Sequence, residues 1–257
     1  MVFAPDDYTR TILVALGMIV LTVVMMELAT LPAILLDPSI LTFDQETSRV
    51  AVMLFLPLNF VGIAIAGFIY LKVTDRRREW LDLHLPSKRD WIWIVGGSVL
   101  AIVVLFAGGL AMELADVDIP ESPVLALVEG DVMLLSVMFV TVWLLNAPAE
   151  ELVFRNIIQK RSYAAFSGVG AVLFTSLLFG LIHLPAYLAL GATWDALAIP
   201  AGVLVIGSVI IGFAYLKTKN LVVPILIHAI YNSIQIGLLL IATILGIEPV
   251  EAAIVWT

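Results

Sequence analysis

Ala149-Glu150-Glu151-Leu152-Val153-Phe154-Arg155 places two carboxylates and a guanidinium inside a run that otherwise reads as a transmembrane helix. A lone charge near the middle of a bilayer costs from about 3 to more than ~10 kcal/mol, depending on the reference. Three ionisable groups within six residues therefore need polar partners or a watery cavity, and other parts of the chain must supply them.

The surroundings support the membrane reading. The chain has 257 residues, of which 62% are hydrophobic and 13% charged, and its mean hydropathy is +1.10. A soluble domain carries about 25% charged residues. There is no cysteine, which excludes disulfides, thiolate metal sites, a cysteine nucleophile and S-linked lipid on the chain itself. A net charge of −8 argues against nucleic acid as a partner. Met1 to Arg10 lacks the basic start and small-residue cleavage site of a secretory signal, so the first apolar run is expected to be retained.

A helix needs roughly 20 apolar residues to cross the hydrocarbon core. Seven stretches qualify: Thr11–Leu36, Val50–Val73, Trp91–Ala115, Val132–Gln159, Gly168–Leu190, Asp195–Leu216 and Leu221–Gly246. A break is expected in the first near Pro32 and a kink in the fourth at Pro148. The expected fold is all-α, a polytopic transmembrane helical bundle of about seven spans with the functional cavity inside it. No internal repeat points to an inverted-repeat transporter.

Basic residues orient the bundle. Arg10, the group Lys72, Arg76, Arg77, Arg78, Lys88 and Arg89, the pair Lys160 and Arg161, and the pair Lys217 and Lys219 all fall on one side if the spans alternate. By the positive-inside rule that side is cytoplasmic, giving a multi-pass cell-membrane protein with its N-terminus inside and its C-terminus outside. The other side collects Asp37, Asp44, Glu46, Glu113, Asp116, Asp118, Glu121, Glu129, Asp131, Asp195, Glu248 and Glu251. The stretch Glu113–Asp131, with Pro120 and Pro123, reads as an external loop or surface helix. His84 reads as a solvated loop residue.

Six groups stand out within the spans: Glu150, Glu151, Arg155, His183, His228 and Asn232. Glu27, Asn59 and Asn146 are further polar candidates. Residues four apart share a helical face, and adjacent ones point about 100° apart. Glu151 and Arg155 are thus spaced for an ion pair, whereas Glu150 faces elsewhere. His228 and Asn232 also share a face. At 1.5 Å per residue, Glu150 lies ~15 Å from Lys160 and His228 ~13 Å from Lys219. His183 comes out deeper, roughly 22 Å past Gly168. A bland alternative is structural: an intrahelical Glu–Arg pair and histidines bonded to neighbouring helices.

Three motifs resemble those of the CPBP intramembrane proteases, which include the type II CAAX prenyl endopeptidases and the Abi-like proteins. They are Glu150-Glu151-Leu152-Val153-Phe154-Arg155, Phe179-Gly180-Leu181-Ile182-His183 and His228-Ala229-Ile230-Tyr231-Asn232. They occur in the family's order, and the resemblance covers about Val132–Leu240. It implies N-terminal helices over residues 1–131, a catalytic core over 132–246 and a tail over 247–257, in one integral membrane domain.

The resemblance also implies roles. Glu150 is the base that activates a water, His183 orients that water, and His228 with Asn232 stabilises the oxyanion. Glu151, Arg155 and Phe179 support them. A carboxylate withdrawn from water holds a proton more readily, which suits it to proton transfer near neutrality. The substrate implied is a peptide or lipidated protein at the membrane, and membrane lipid is the other partner. No cofactor is expected, with zinc bound by Glu150, His183 and His228 as the alternative. Two other readings are carried: a non-catalytic scaffold or bacteriocin-immunity-type protein, and a proton-coupled transporter.

Overall fold

The span Lys88–Ala115 shows how this protein distributes its apolar residues. Ile92, Val95, Val99, Val103, Phe106 and Leu110 recur at three- and four-residue intervals and are exposed. The opposite face, with Gly97, Ala101, Leu105 and Met112, is buried against other helices. An apolar outer stripe at helical period suits lipid, not water.

The structure is a computed structural model describing residues 5–42, 47–76, 78–117, 122, 127–128 and 130–246. Asp44, Glu46, Arg77, Asp118, Pro120, Glu121, Pro123, Glu129, Glu248, Glu251 and the tail 247–257 lie outside the described residues. Among the described residues there is no strand, and seven helices are long and apolar enough to cross a membrane. They are α1 (Pro5–Leu36), α2 (Arg49–Val73), α3 (Lys88–Ala115), α4 (Val132–Ser162), α5 (Gly168–Ala189), α6 (Trp194–Thr218) and α7 (Val222–Leu245). The seven expected spans are all present, with boundaries shifted by a few residues.

The ends are set by local chemistry. Ser87 and Asp90 form a reciprocal capping box at the start of α3, and Asp131 accepts from the backbone N–H groups of Met133 and Leu134 to start α4. Arg49 Nε donates to Asp131 Oδ2 at 2.6 Å, tying the start of α2 to the start of α4. In the turn after α1, the Ser39 hydroxyl and the backbone N–H groups of Ser48 and Ser39 hold the Asp37 carboxyl below the usual carboxylate range.

Two expectations need correction. Pro32 does not break α1, which runs through it as one 32-residue helix; packing of α1 along α2 holds the helix across the lost hydrogen bond. The fourth span is not a uniform helix with one proline kink. Its turns widen to i→i+5 bonding over Val142–Asn146 and again over Leu152–Gln159, leaving Ala147–Glu151 as a short α-helical island. Pro148 has no N–H and its ring crowds the carbonyl four residues back. The wider turn just before it, where Ala147 N–H reaches Val142 O, accommodates that ring.

α1 packs chiefly on α2, α5 on α6, and α3 on α6 and α7, while α4 touches α1, α2, α5, α6 and α7. Every residue of Leu152–Gln159 is buried. At the basic end of the bundle the loop after α2 clamps three helices. Asp82 Oδ2 accepts from Lys160 Nζ at 2.7 Å and from Tyr215 OH at 2.6 Å, and Asp82 O accepts from Leu221 N at 2.8 Å. His84, expected to be merely solvated, is exposed yet bonded through its backbone N–H to Asn220 Oδ1 and through Nε2 to Lys219 O.

The α1–α2 contact depends on Gly62. A Cβ there would lie 2.5 Å from Met25 O and 2.6 Å from Met26 Cα, both backbone atoms that cannot swing aside. Gly62→Ala is therefore expected to cost about 1–3 kcal/mol, as overpacking does. Thermal unfolding in detergent checks this; an unchanged midpoint contradicts it.

Candidate active site

The short island of α4 carries both carboxylates, and the wide turns on either side aim them apart. Glu151 and Arg155 are fully buried, and Arg155 Nε donates to Glu151 Oε2 at 2.7 Å. The ion pair expected from the i,i+4 spacing is present. Arg155 does not reach toward a lipid surface. Its Cζ lies 5.5 Å from the centre of the Phe179 ring, a cation–π contact in a dry interior.

Glu150 is 7% exposed and lines a cavity of about 340 Å³ inside the bundle. His183 on α5 and His228 and Asn232 on α7 line the same cavity. The greater depth expected for His183 does not separate it from the others. Phe179 brings the elements together. Its carbonyl oxygen accepts from His183 Nδ1 at 2.6 Å, and its ring meets Phe154 edge-on at 4.9 Å and His228 at 6.1 Å. His183 Nδ1 carries the proton it donates, so in the neutral ring Nε2 keeps the lone pair.

Glu150 and Glu151 are more closely joined than their separate faces suggested. His228 Nδ1 donates to Glu151 Oε1 at 2.9 Å, while His228 Nε2 lies 3.9 Å from Glu150 Oε2. His228 stands between the two carboxylates, and Glu151 orients the ring as well as pairing Arg155.

Asn146 is a bonded neighbour of Glu150 and Asn232 that the motifs do not contain. Its Nδ2 donates to Glu150 Oε1 at 2.8 Å, and Asn232 Nδ2 donates to its Oδ1 at 2.8 Å. A carboxylate only accepts, so Asn146 must turn its amide nitrogen to Glu150 and its oxygen to Asn232. The order Asn232→Asn146→Glu150 follows from that one constraint. The signal was in the sequence: Asn146 is an amide within a span, four residues before Glu150 and on the same face. Asn146→Ala removes the donor to Glu150 and strands a buried amide hydrogen of Asn232, at about 1–3 kcal/mol for the unsatisfied group. If the cavity carries the hydrolysis that the three motifs imply, steady-state kcat is expected to fall by about 10- to 100-fold at similar KM. A change confined to KM contradicts a positioning role.

Glu150, His183 and His228, the residues named for a zinc alternative, share the cavity, with His228 Nε2 3.9 Å from Glu150 Oε2. Among the described residues no group of three or more His, Asp or Glu is arranged to hold a metal ion.

No curated protein and no solved structure matches the chain. Residues 132–234 match the family model of the type II CAAX prenyl endopeptidase Rce1-like proteins. That segment runs from the start of α4 to just past Asn232, so it holds all three motifs and the residues that meet at Glu150. Over residues 132–234, then, the chain is similar to the type II CAAX prenyl endopeptidase Rce1-like proteins, a family of intramembrane proteases.

Proposed function

We propose that the protein is an endopeptidase that hydrolyses a peptide bond of a hydrophobic or lipidated substrate within the membrane, using a water activated by Glu150. The observation that carries this reading is the meeting of Glu150, His183, His228 and Asn232 in one cavity, inside the segment that matches the endopeptidase family.

Glu150 takes a proton from water as its oxygen bonds to the scissile carbonyl carbon. His183 Nε2 accepts a hydrogen bond from the same water and sets its direction. The carbonyl oxygen becomes an oxyanion, toward which Asn232 offers an amide N–H and His228, in its protonated form, offers Nε2–H. Glu150 then returns its proton to the amide nitrogen, the C–N bond breaks, and an acid and an amine leave. Asn146 keeps Glu150 and Asn232 in register, and Glu151 holds His228 by Nδ1. No step is routed through a metal. The lining is largely apolar, with Phe60, Ile63, Val203, Leu204 and Ile211 among its residues, which suits an apolar segment or lipid chain. The basic end of the bundle faces the cytoplasm of the cell membrane on this reading.

The test is cleavage of fluorogenic hydrophobic peptides, with and without a prenyl chain, by purified protein in lipid nanodiscs. Activity unaffected by a strong chelator is expected. Loss on chelation with recovery on adding zinc overturns the metal-free step, and no cleavage of any peptide overturns the function.

A further inference from the structure

The cavity has a second polar pole. Thr22 and Glu27 of α1 and Asn59 of α2 line it together with Glu150. Thr22 is 2% exposed and its Oγ1 has no hydrogen-bond partner. The Glu27 carboxylate and the Asn59 amide also have no protein partner among the described residues. Glu27 is exposed as well as lining the cavity. Its neighbours Val23, Val24, Leu28 and Leu31 form an exposed apolar surface of the kind that faces lipid. Glu27 thus stands at a rim where the cavity meets the bilayer.

Glu27 and Asn59 sit at nearly one level, and Thr22, five residues before Glu27 on α1, lies about 7.5 Å further along the axis. Gly62 meets Met25 and Met26 in the antiparallel α1–α2 contact. Asn59 is three residues earlier on α2, about 4.5 Å along the axis, and so lies opposite the stretch around Glu27. Every other carboxylate deep within the spans, Glu150 and Glu151, has a donor. A carboxylate held in a membrane span without one is costly and is characteristic of a substrate path.

We propose that Glu27, with Asn59, forms a subsite for a cationic group of the substrate, an ammonium or guanidinium on the peptide. The carboxylate supplies charge, and the amide oxygen of Asn59 accepts one of the cation's remaining N–H groups. The subsite rests on the endopeptidase reading for its role in cleavage, but its affinity for a cation does not.

Two readouts keep these apart. The first is kcat/KM for matched peptides that carry Lys, norleucine or Glu at one scanned position, with wild type, Glu27→Gln and Glu27→Lys. The second is binding of the same peptides to Glu150→Ala protein, alone and combined with each Glu27 substitution. At one position, Lys is expected to exceed norleucine by about tenfold in both readouts, the scale of one charge-assisted contact. Glu27→Gln removes that preference, and Glu27→Lys turns it toward the Glu peptide, a gain that misfolding does not produce. Binding preference without any cleavage supports the subsite and overturns the endopeptidase. Cleavage with no Lys preference at any position overturns the subsite alone. Nanodiscs of phosphatidylcholine with and without phosphatidylethanolamine separate a peptide amine from a lipid amine. A Glu27-dependent effect of the amine lipid without a Lys preference overturns the peptide assignment.

Discussion

Glu150→Gln protein, inserted and folded, is expected to cleave at least about 10³-fold more slowly than wild type, within the range that a positioned general base contributes. The amide has nearly the shape of the carboxylate, so the cavity keeps its form while losing a proton acceptor. Glu150→Asp is the sharper comparison. It retains the charge but withdraws the oxygen by one methylene, and a misplacement of about 1 Å costs on the order of 10² in rate. It also loosens the contact with Asn146 Nδ2, now 2.8 Å from Glu150 Oε1. The expected order is wild type, then Asp, then Gln. His183→Ala joins the slow group, because Nδ1 is fixed to the Phe179 carbonyl and only Nε2 can guide a water. Single-turnover cleavage measures all four proteins, with thermal midpoints to exclude unfolding. Normal cleavage by Glu150→Gln and His183→Ala would falsify the assigned mechanism.

The sequence was most readable where spacing and geometry coincide. Seven apolar runs became seven helices, and Glu151 with Arg155 became an ion pair, because both follow from the rise and pitch of a helix. Glu150, His183, His228 and Asn232 were also visible as polar groups in apolar runs, which is costly unless they meet. What could not be read depends on contacts between distant residues. The His228 Nδ1 bond to Glu151 joins positions 77 residues apart, and no periodicity reports which of two adjacent carboxylates a ring will choose. The wide turns of α4 were equally hidden. Pro148 announces a disturbance, but its position does not say whether the chain kinks or adds a residue to the turn. Asn146 lay between these cases: its face was readable, and its acceptor in Glu150 became evident only with the turn that precedes it.

The wide turns also account for how charge persists in the middle of the bundle. Glu150 faces the cavity and Glu151 the interior, and His228 reaches both because the short island between the turns holds them side by side. An enzyme working on this plan keeps one carboxylate near water and fixes the other permanently as a support. On the proposed mechanism the two halves of the cluster are expected to respond differently to substitution: loss of Glu150 affects the reaction, and loss of charge balance at Glu151 affects the fold.

Arg155→Met is accordingly expected to be more destabilising than any of the substitutions above, by about 3–5 kcal/mol, the cost of leaving one buried ion without its partner. Both side chains of the pair are fully buried, so neither recovers hydration when the other is lost. Arg155 itself is incompletely satisfied, since Nη1 and Nη2 have no hydrogen-bond partner. The pair therefore contributes less stability than its 2.7 Å contact suggests, and an apolar replacement of the whole pair is tolerated better than removal of one end. Glu151→Gln with Arg155→Met is expected to regain most of the loss of Arg155→Met alone. Chemical or thermal unfolding of the two single variants, the double variant and wild type gives the coupling directly. A double variant as unstable as the sum of the two singles refutes the account. Cleavage moves the other way. The stable double variant is expected to remain slow, because the neutral amide that Glu151→Gln introduces no longer holds the proton-bearing Nδ1 of His228 with a charge, and Nε2–H loses its fixed aim at the oxyanion of the proposed mechanism.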